Sequence, residues 1–163
     1  MEKINVRKNT VKVLADIITP VSIYLKIRDV FPGSLLLESS DYHSNQNSYS
    51  FICMDPIADF EVRGDELRLT LPGEVTERIA LQNRKEAVDQ LHAFLHRFSE
   101  SQAGEPGLID GVFGYSSYDA VQYFEDIRFS SPKKDTEPIP EIKYGYFRYI
   151  IAINHLKNEL QII

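Results

Sequence analysis

Any chemistry this chain performs must come from a short set of side chains. The run Leu35-Leu36-Leu37-Glu38-Ser39 puts a carboxylate and a hydroxyl directly after three leucines. A charge at the end of a buried strand is costly unless something meets it. Either Glu38 faces a ligand pocket, or it marks the strand's exit to solvent ahead of the loop Ser40-Asp41-Tyr42-His43-Ser44-Asn45. The residues alone leave both readings open. His92 and His96 stand four apart, a helical spacing that could hold a metal ion from one face. Between them Ala93-Phe94-Leu95 supplies no glutamate, and no third ligand is evident, so solvated surface histidines are expected. Cys53 lies among Phe51, Ile52 and Met54; burial there raises a thiol pKa and blunts a nucleophile, which predicts a core residue. Asp119 and Glu125 are six apart, so a helix would turn them to different faces, and structural roles are expected. Gly111-Val112-Phe113-Gly114 lacks the third glycine of a dinucleotide fingerprint and the Gly-Lys-Ser/Thr ending of a phosphate loop. Its glycines are expected to permit close packing.

The elements that must position these residues follow from spacing. Thr19-Pro20 predicts a helix start, with a hydroxyl to cap an early N–H and a proline where none is needed. Ile23, Tyr24, Ile27, Val30 and Phe31 then form an apolar face until Pro32-Gly33. The run Ser34 to Leu37 reads as a buried strand. Tyr49 to Met54 reads as a strand stopped by Asp55-Pro56, and Ile57 to Arg63 with Glu66 to Leu71 as a hairpin around Gly64-Asp65. Another strand is expected within Glu74 to Ala80. Asn83 predicts the cap of a helix to about Glu100, striped by Ala87, Val88, Leu91, Phe94, Leu95 and Phe98. Ser99 to Gly107 is a polar connector, Ile109 to Tyr115 a strand, and Tyr118 to Phe124 a short helix. After the loop Ser130 to Pro140, Lys143 to Asn154 is a long strand, turning at His155 to Asn158 into Glu159 to Ile163. Hairpins interrupted by single helices predict an α+β class, with antiparallel sheets and a few packed helices. The apolar ending Ile162-Ile163 predicts that the natural chain continues. No internal repeat or low-complexity tract is present.

Composition bounds the function. The 163 residues suffice for one ordinary domain, at 43% hydrophobic and 26% charged. The net charge is −6 with no basic cluster, which excludes nucleic acid and anionic membrane as natural partners. One cysteine, no signal-peptide layout and no apolar run of membrane-spanning length predict a cytoplasmic protein.

Four segments in order resemble the amino-terminal domain of anthranilate synthase component I. They are Ala15-Asp16-Ile17-Ile18-Thr19-Pro20-Val21-Ser22-Ile23-Tyr24-Leu25, Leu36-Leu37-Glu38-Ser39, Tyr49-Ser50-Phe51-Ile52 before Asp55-Pro56, and Gly111-Val112-Phe113-Gly114-Tyr115 through Tyr118-Asp119-Ala120-Val121 to Phe124-Glu125. Ile139-Pro140-Glu141 follows the same pattern. The resemblance covers about Leu14 to the end and takes in the whole chain, 1–163, as one regulatory domain. It implies an enzyme that makes anthranilate and pyruvate from chorismate and ammonia. A glutaminase subunit supplies the ammonia. Mg2+ and the catalytic residues belong to a carboxy-terminal chorismate-binding domain that nothing here resembles. This chain is therefore expected to have no catalytic residue, no metal and no activity alone, and to carry the feedback site for L-tryptophan.

By resemblance, Pro20 packs on the indole, Glu38 suits the ammonium, Ser39 makes close polar contact, and Leu37 and Tyr49 complete the pocket. Ser48 departs from a common Arg, Tyr49 from the Lys of some members, and Asp110-Gly111 from a common Gly-Gly. The sister enzyme aminodeoxychorismate synthase component I shares this domain and is the nearest alternative. A stand-alone amino-acid-binding module is the other.

Overall fold

The computed structural model describes residues 3–38, 48–100, 111–129 and 139–163, with the side chain of Glu100 excepted. Ten strands and three helices follow in order: β1 (Ile4–Val6), β2 (Val11–Leu14), α1 (Pro20–Ile27), β3 (Leu35–Glu38), β4 (Tyr49–Arg63), β5 (Glu66–Leu71), β6 (Val75–Ala80), α2 (Glu86–Leu95), β7 (Phe98–Glu100), β8 (Phe113–Ser116), α3 (Val121–Phe124), β9 (Ile142–Asn154) and β10 (Glu159–Ile162). A 3-10 turn, Tyr118–Ala120, leads into α3. The pairings given residue by residue are antiparallel, as the α+β expectation required. The main sheet runs β2-β10-β9-β4-β5-β6, with β3 also on β4 and β8 also on β9. Where length suggested one core, contacts divide the chain into two compact units, and the long strands β4 and β9 give residues to both.

The first unit comprises Met1–Val6, Ile57–Ser99 and Gly111–Tyr146. Its core gathers Phe60, Val62, Leu67, Leu69, Phe94, Tyr123 and Ile142. The hairpin falls where Gly64-Asp65 predicted it: Arg63 opposes Glu66, and Gly64 takes φ +57, which a glycine adopts without a Cβ penalty. Helix α2 is shorter than its stripe. Asn83 does cap it, its Oδ1 accepting from the Glu86 N–H at 3.1 Å. The chain nevertheless leaves the helix at His96, and Phe98 opens β7 beside β1. Phe98 kept the helical spacing, but its ring stacks on Tyr146 at 4.2 Å and meets Phe94 edge-on at 5.3 Å. An aromatic can satisfy a stripe from either backbone, and tertiary stacking decided it.

Tyr123 anchors α3 to the hairpin. Its ring is 2% exposed, its hydroxyl donates to the Gly64 carbonyl at 2.8 Å, and burial pushes the phenol up to about 12. Tyr123→Phe removes that donor and should cost about 1 kcal/mol. The check is a lower urea midpoint at unchanged slope.

The second unit comprises Arg7–Pro56, Glu100–Asp110 and Phe147–Ile163. Helix α1 begins as its sequence demanded: Thr19 Oγ1 accepts from the Ser22 N–H at 3.2 Å, and Pro20 fills the first turn. It ends at Ile27, earlier than the apolar spacing through Phe31 implied. Both Val30 and Phe31 N–H groups donate to the Ile27 carbonyl at 2.9 Å, closing a turn that carries Phe31 against the ring of Tyr149. Ile23, Tyr24 and Ile27 pack with Phe31 and Leu36 on Ile52, Met54, Ile151, Ile153 and Leu160.

Asp55-Pro56 does not stop the strand, contrary to expectation. Strand β4 passes through it because Asp55 takes a left-handed φ of +56, a bulge conformation, with its carboxylate held by Arg148 Nε at 2.9 Å. Proline is tolerated in strands at such bulges. Strands β1 and β2 had no sequence expectation; the four residues of β2 are all exposed.

Candidate functional site

The candidate site sits where β3 ends. Leu35 opposes Cys53, Leu36 opposes Ile52, Leu37 opposes Phe51, and Glu38 opposes Ser50. Directly opposed residues share a face, and successive ones alternate. One face therefore carries Leu36, Glu38, Ser50 and Ile52, and it is the face on which α1 packs. The other carries Leu35, Leu37, Tyr49 and Phe51, where the Tyr49 and Phe51 rings stack at 5.9 Å and 11°.

The structure thus sorts the expected site residues. Pro20, buried at the start of α1, and Glu38 belong to the helix side. Leu37 and Tyr49 belong to the opposite side. Ser39 lies outside the described residues. The three leucines are half-buried rather than fully buried, and Glu38 is exposed. Among the described residues the Glu38 carboxylate has no ion pair or hydrogen bond, so it is available to a cation from solution.

One contact behind Glu38 had no sequence signal. Ser50 is fully buried, and its Oγ lies 2.7 Å from His155 Nε2. The His155 backbone N–H also donates to the Ser48 carbonyl at 3.0 Å. The pair is separated by 105 residues. No local pattern joins them; only the pairing of β4 with β9 and the turn after β9 does.

The other candidates take their structural roles. His92 and His96 are exposed. Cys53 is fully buried, and desolvation pushes its thiol up to about 12, far from a reactive thiolate. Asp119 and Glu125 flank α3 without forming a pair. Among the described residues no three His, Cys, Asp or Glu side chains gather as a metal site, and no helix is long and apolar enough to cross a membrane. A polar cleft of about 730 Å³ in the first unit is lined by Asp65, Asn83, Arg84, Gln122, Asp126 and Arg128. Its charges are of both signs, and Asp126 is engaged by Lys85 at 2.9 Å.

No family model matches the chain. Curated proteins do. It is 31% identical to anthranilate synthase component 1 of Thermus thermophilus over 166 residues, covering 100% of this chain and 32% of that protein. It is 30% identical to the Pseudomonas aeruginosa protein of the same name over 155 residues, covering 92% of this chain and 30% of that one. The chain is a relative of anthranilate synthase component I. It spans about a third of the length of these relatives. Among solved structures, anthranilate synthase component I from Streptococcus pneumoniae superposes with a TM-score of 0.48 at 16% identity, over 94% of this chain and 31% of that one.

Proposed function

We propose that this chain is the amino-terminal regulatory region of an anthranilate synthase component I, and that L-tryptophan binds at the Glu38 end of the β3–β4 pair. The observation that carries the reading is Glu38. It ends a strand whose leucines are packed, it is exposed, and it has no partner among the described residues. A carboxylate held this way suits an ammonium, and the charge-assisted bond is stronger than a neutral one. Pro20, on the same side, supports the indole, while Leu37 and Tyr49 border the strand end from the other face.

On this reading the complete cytoplasmic protein converts chorismate and ammonia to anthranilate and pyruvate. The ammonia comes from a glutaminase subunit, and Mg2+ is held by a chorismate-binding domain outside this chain. This chain alone is inactive. Tryptophan acts by binding the inhibited state more tightly than the active one, since an effector shifts an equilibrium only through that difference.

The test is anthranilate formation by the complete protein at rising tryptophan concentration. Ser39→Ala should raise the half-inhibitory concentration by about tenfold relative to wild type, each normalised to its own uninhibited rate, as expected for one lost polar contact. Equal sensitivity of the two proteins overturns the assignment of this strand end. Aminodeoxychorismate as the product overturns the choice of enzyme.

A further inference from the structure

The turn between β9 and β10 is built by its own side chains. Asn154, 2% exposed, accepts at Oδ1 from the backbone N–H groups of Leu156 at 3.0 Å and Lys157 at 2.9 Å. Asparagine makes such turns because its side chain mimics a backbone acceptor. Asn158 closes the turn at φ +49, a conformation asparagine tolerates better than most residues. Glu159 then opposes Asn154 as β10 begins.

This turn makes three outward attachments. The Asn158 carbonyl accepts from the Ala15 N–H at 2.8 Å, on the segment that leads to Pro20. The His155 N–H donates to the Ser48 carbonyl at 3.0 Å. The His155 ring meets the Ser50 hydroxyl at 2.7 Å, directly across from Glu38. One turn therefore ties together the approach to α1, which leads to Pro20, and the first residues of β4, against which Glu38 of β3 is paired. Ser50 is fully buried, with its hydroxyl turned to His155. It works through the strand.

We infer that the β9–β10 turn is the positioning element of the effector site, with His155 and Ser50 as its positioning residues. The inference rests on the tryptophan reading above. Binding is tight when contact groups are held in place beforehand, and loosening their support costs affinity without removing any contact. A hydrogen bond to a buried hydroxyl is the right size of lever for that.

The experiment is calorimetric titration of L-tryptophan into the complete protein and its variants. His155→Ala and Ser50→Ala should each weaken binding about fivefold. Because both remove the same bond, the double variant should be no weaker than the worse single one. His155→Gln, whose amide can still bond Ser50, should recover to within about twofold of wild type. A merely structural role would lower melting temperature and leave the affinity of the folded protein, and the rescue, unmoved. If His155→Ala does not fold, Ser50→Ala and His155→Gln carry the comparison. Glu38→Gln is the reference: if it weakens binding while Ser50→Ala and His155→Ala match wild type, the turn's role is overturned and the site stands. Wild-type affinity in Glu38→Gln, or no binding by wild type, overturns the site itself and the turn's role with it.

Discussion

Gly114→Ala should destabilise the protein by about 3–5 kcal/mol. Strand β8 lies against β9 with Gly114 opposite Tyr144. A Cβ built on Gly114 would overlap the Lys143 carbonyl oxygen and stand 2.8 Å from both the Lys143 carbonyl carbon and the Tyr144 Cα. Carbon and oxygen do not approach so closely without a bond. The obstacle is backbone, so no rotamer change relieves it. The four residues of β8 must lift away or β9 must give, and β9 carries Ile142, Tyr146 and Phe147 in buried positions. Guanidinium unfolding of wild type and variant measures the cost, and a midpoint within error of wild type would refute the close approach. Gly64 is a useful contrast: its added Cβ would meet nothing within 4 Å, so only the left-handed φ of +57 is penalised, by about 1 kcal/mol.

Gly114 also shows what a sequence can disclose. The two glycines of Gly111-Val112-Phe113-Gly114 failed every phosphate-loop pattern, which left close packing as their use, and at Gly114 the packing is there. Local grammar was legible in the same way at Thr19-Pro20, Asn83, Gly64-Asp65 and the long strand β9, because each states its geometry within a few residues. Three features were not legible, each for a physical reason. Phe98 fits a helix stripe, yet rings from a distant strand draw it into β7. Asp55-Pro56 reads as a stop, but a left-handed aspartate lets β4 bulge and continue. No local pattern joins His155 to Ser50, since their bond exists only after β4 and β9 have paired. The candidate site divides along this line: Glu38 was visible as a residue type out of place and the turn at His155 to Asn158 was expected, whereas the bond from that turn to Ser50 is a product of topology. Strand register, likewise, decides which of Leu37, Glu38 and Tyr49 share a side. Spacing in one dimension could not say that Glu38 and Tyr49 would face apart.

Glu38→Gln should weaken L-tryptophan binding about tenfold or more and leave folding unchanged. The amide keeps the shape of the side chain and removes its charge, converting a charge-assisted bond to the ammonium into a neutral one. No described residue pairs with Glu38, so the unliganded protein has little to lose, and its melting temperature should stay at the wild-type value. Screening sharpens the test. An exposed carboxylate attracts a cation less as salt rises, so the gap between wild type and variant should narrow at high ionic strength. Ligand chemistry supplies the decisive arm. Tryptamine keeps the ammonium and lacks the carboxylate; indole-3-propionate keeps the carboxylate and lacks the ammonium. If Glu38 receives the ammonium, the substitution penalises tryptophan and tryptamine and spares indole-3-propionate, because only the first two present a cation to it. An equal penalty for all three ligands would sink the pairing and leave Glu38 as a shaping residue of the strand end. A penalty for tryptamine with tighter binding of tryptophan and indole-3-propionate would place the amino acid in the opposite orientation, its carboxylate toward β3, because the substitution then removes a like-charge repulsion. The three titrations therefore read the direction in which the effector lies as well as whether it binds.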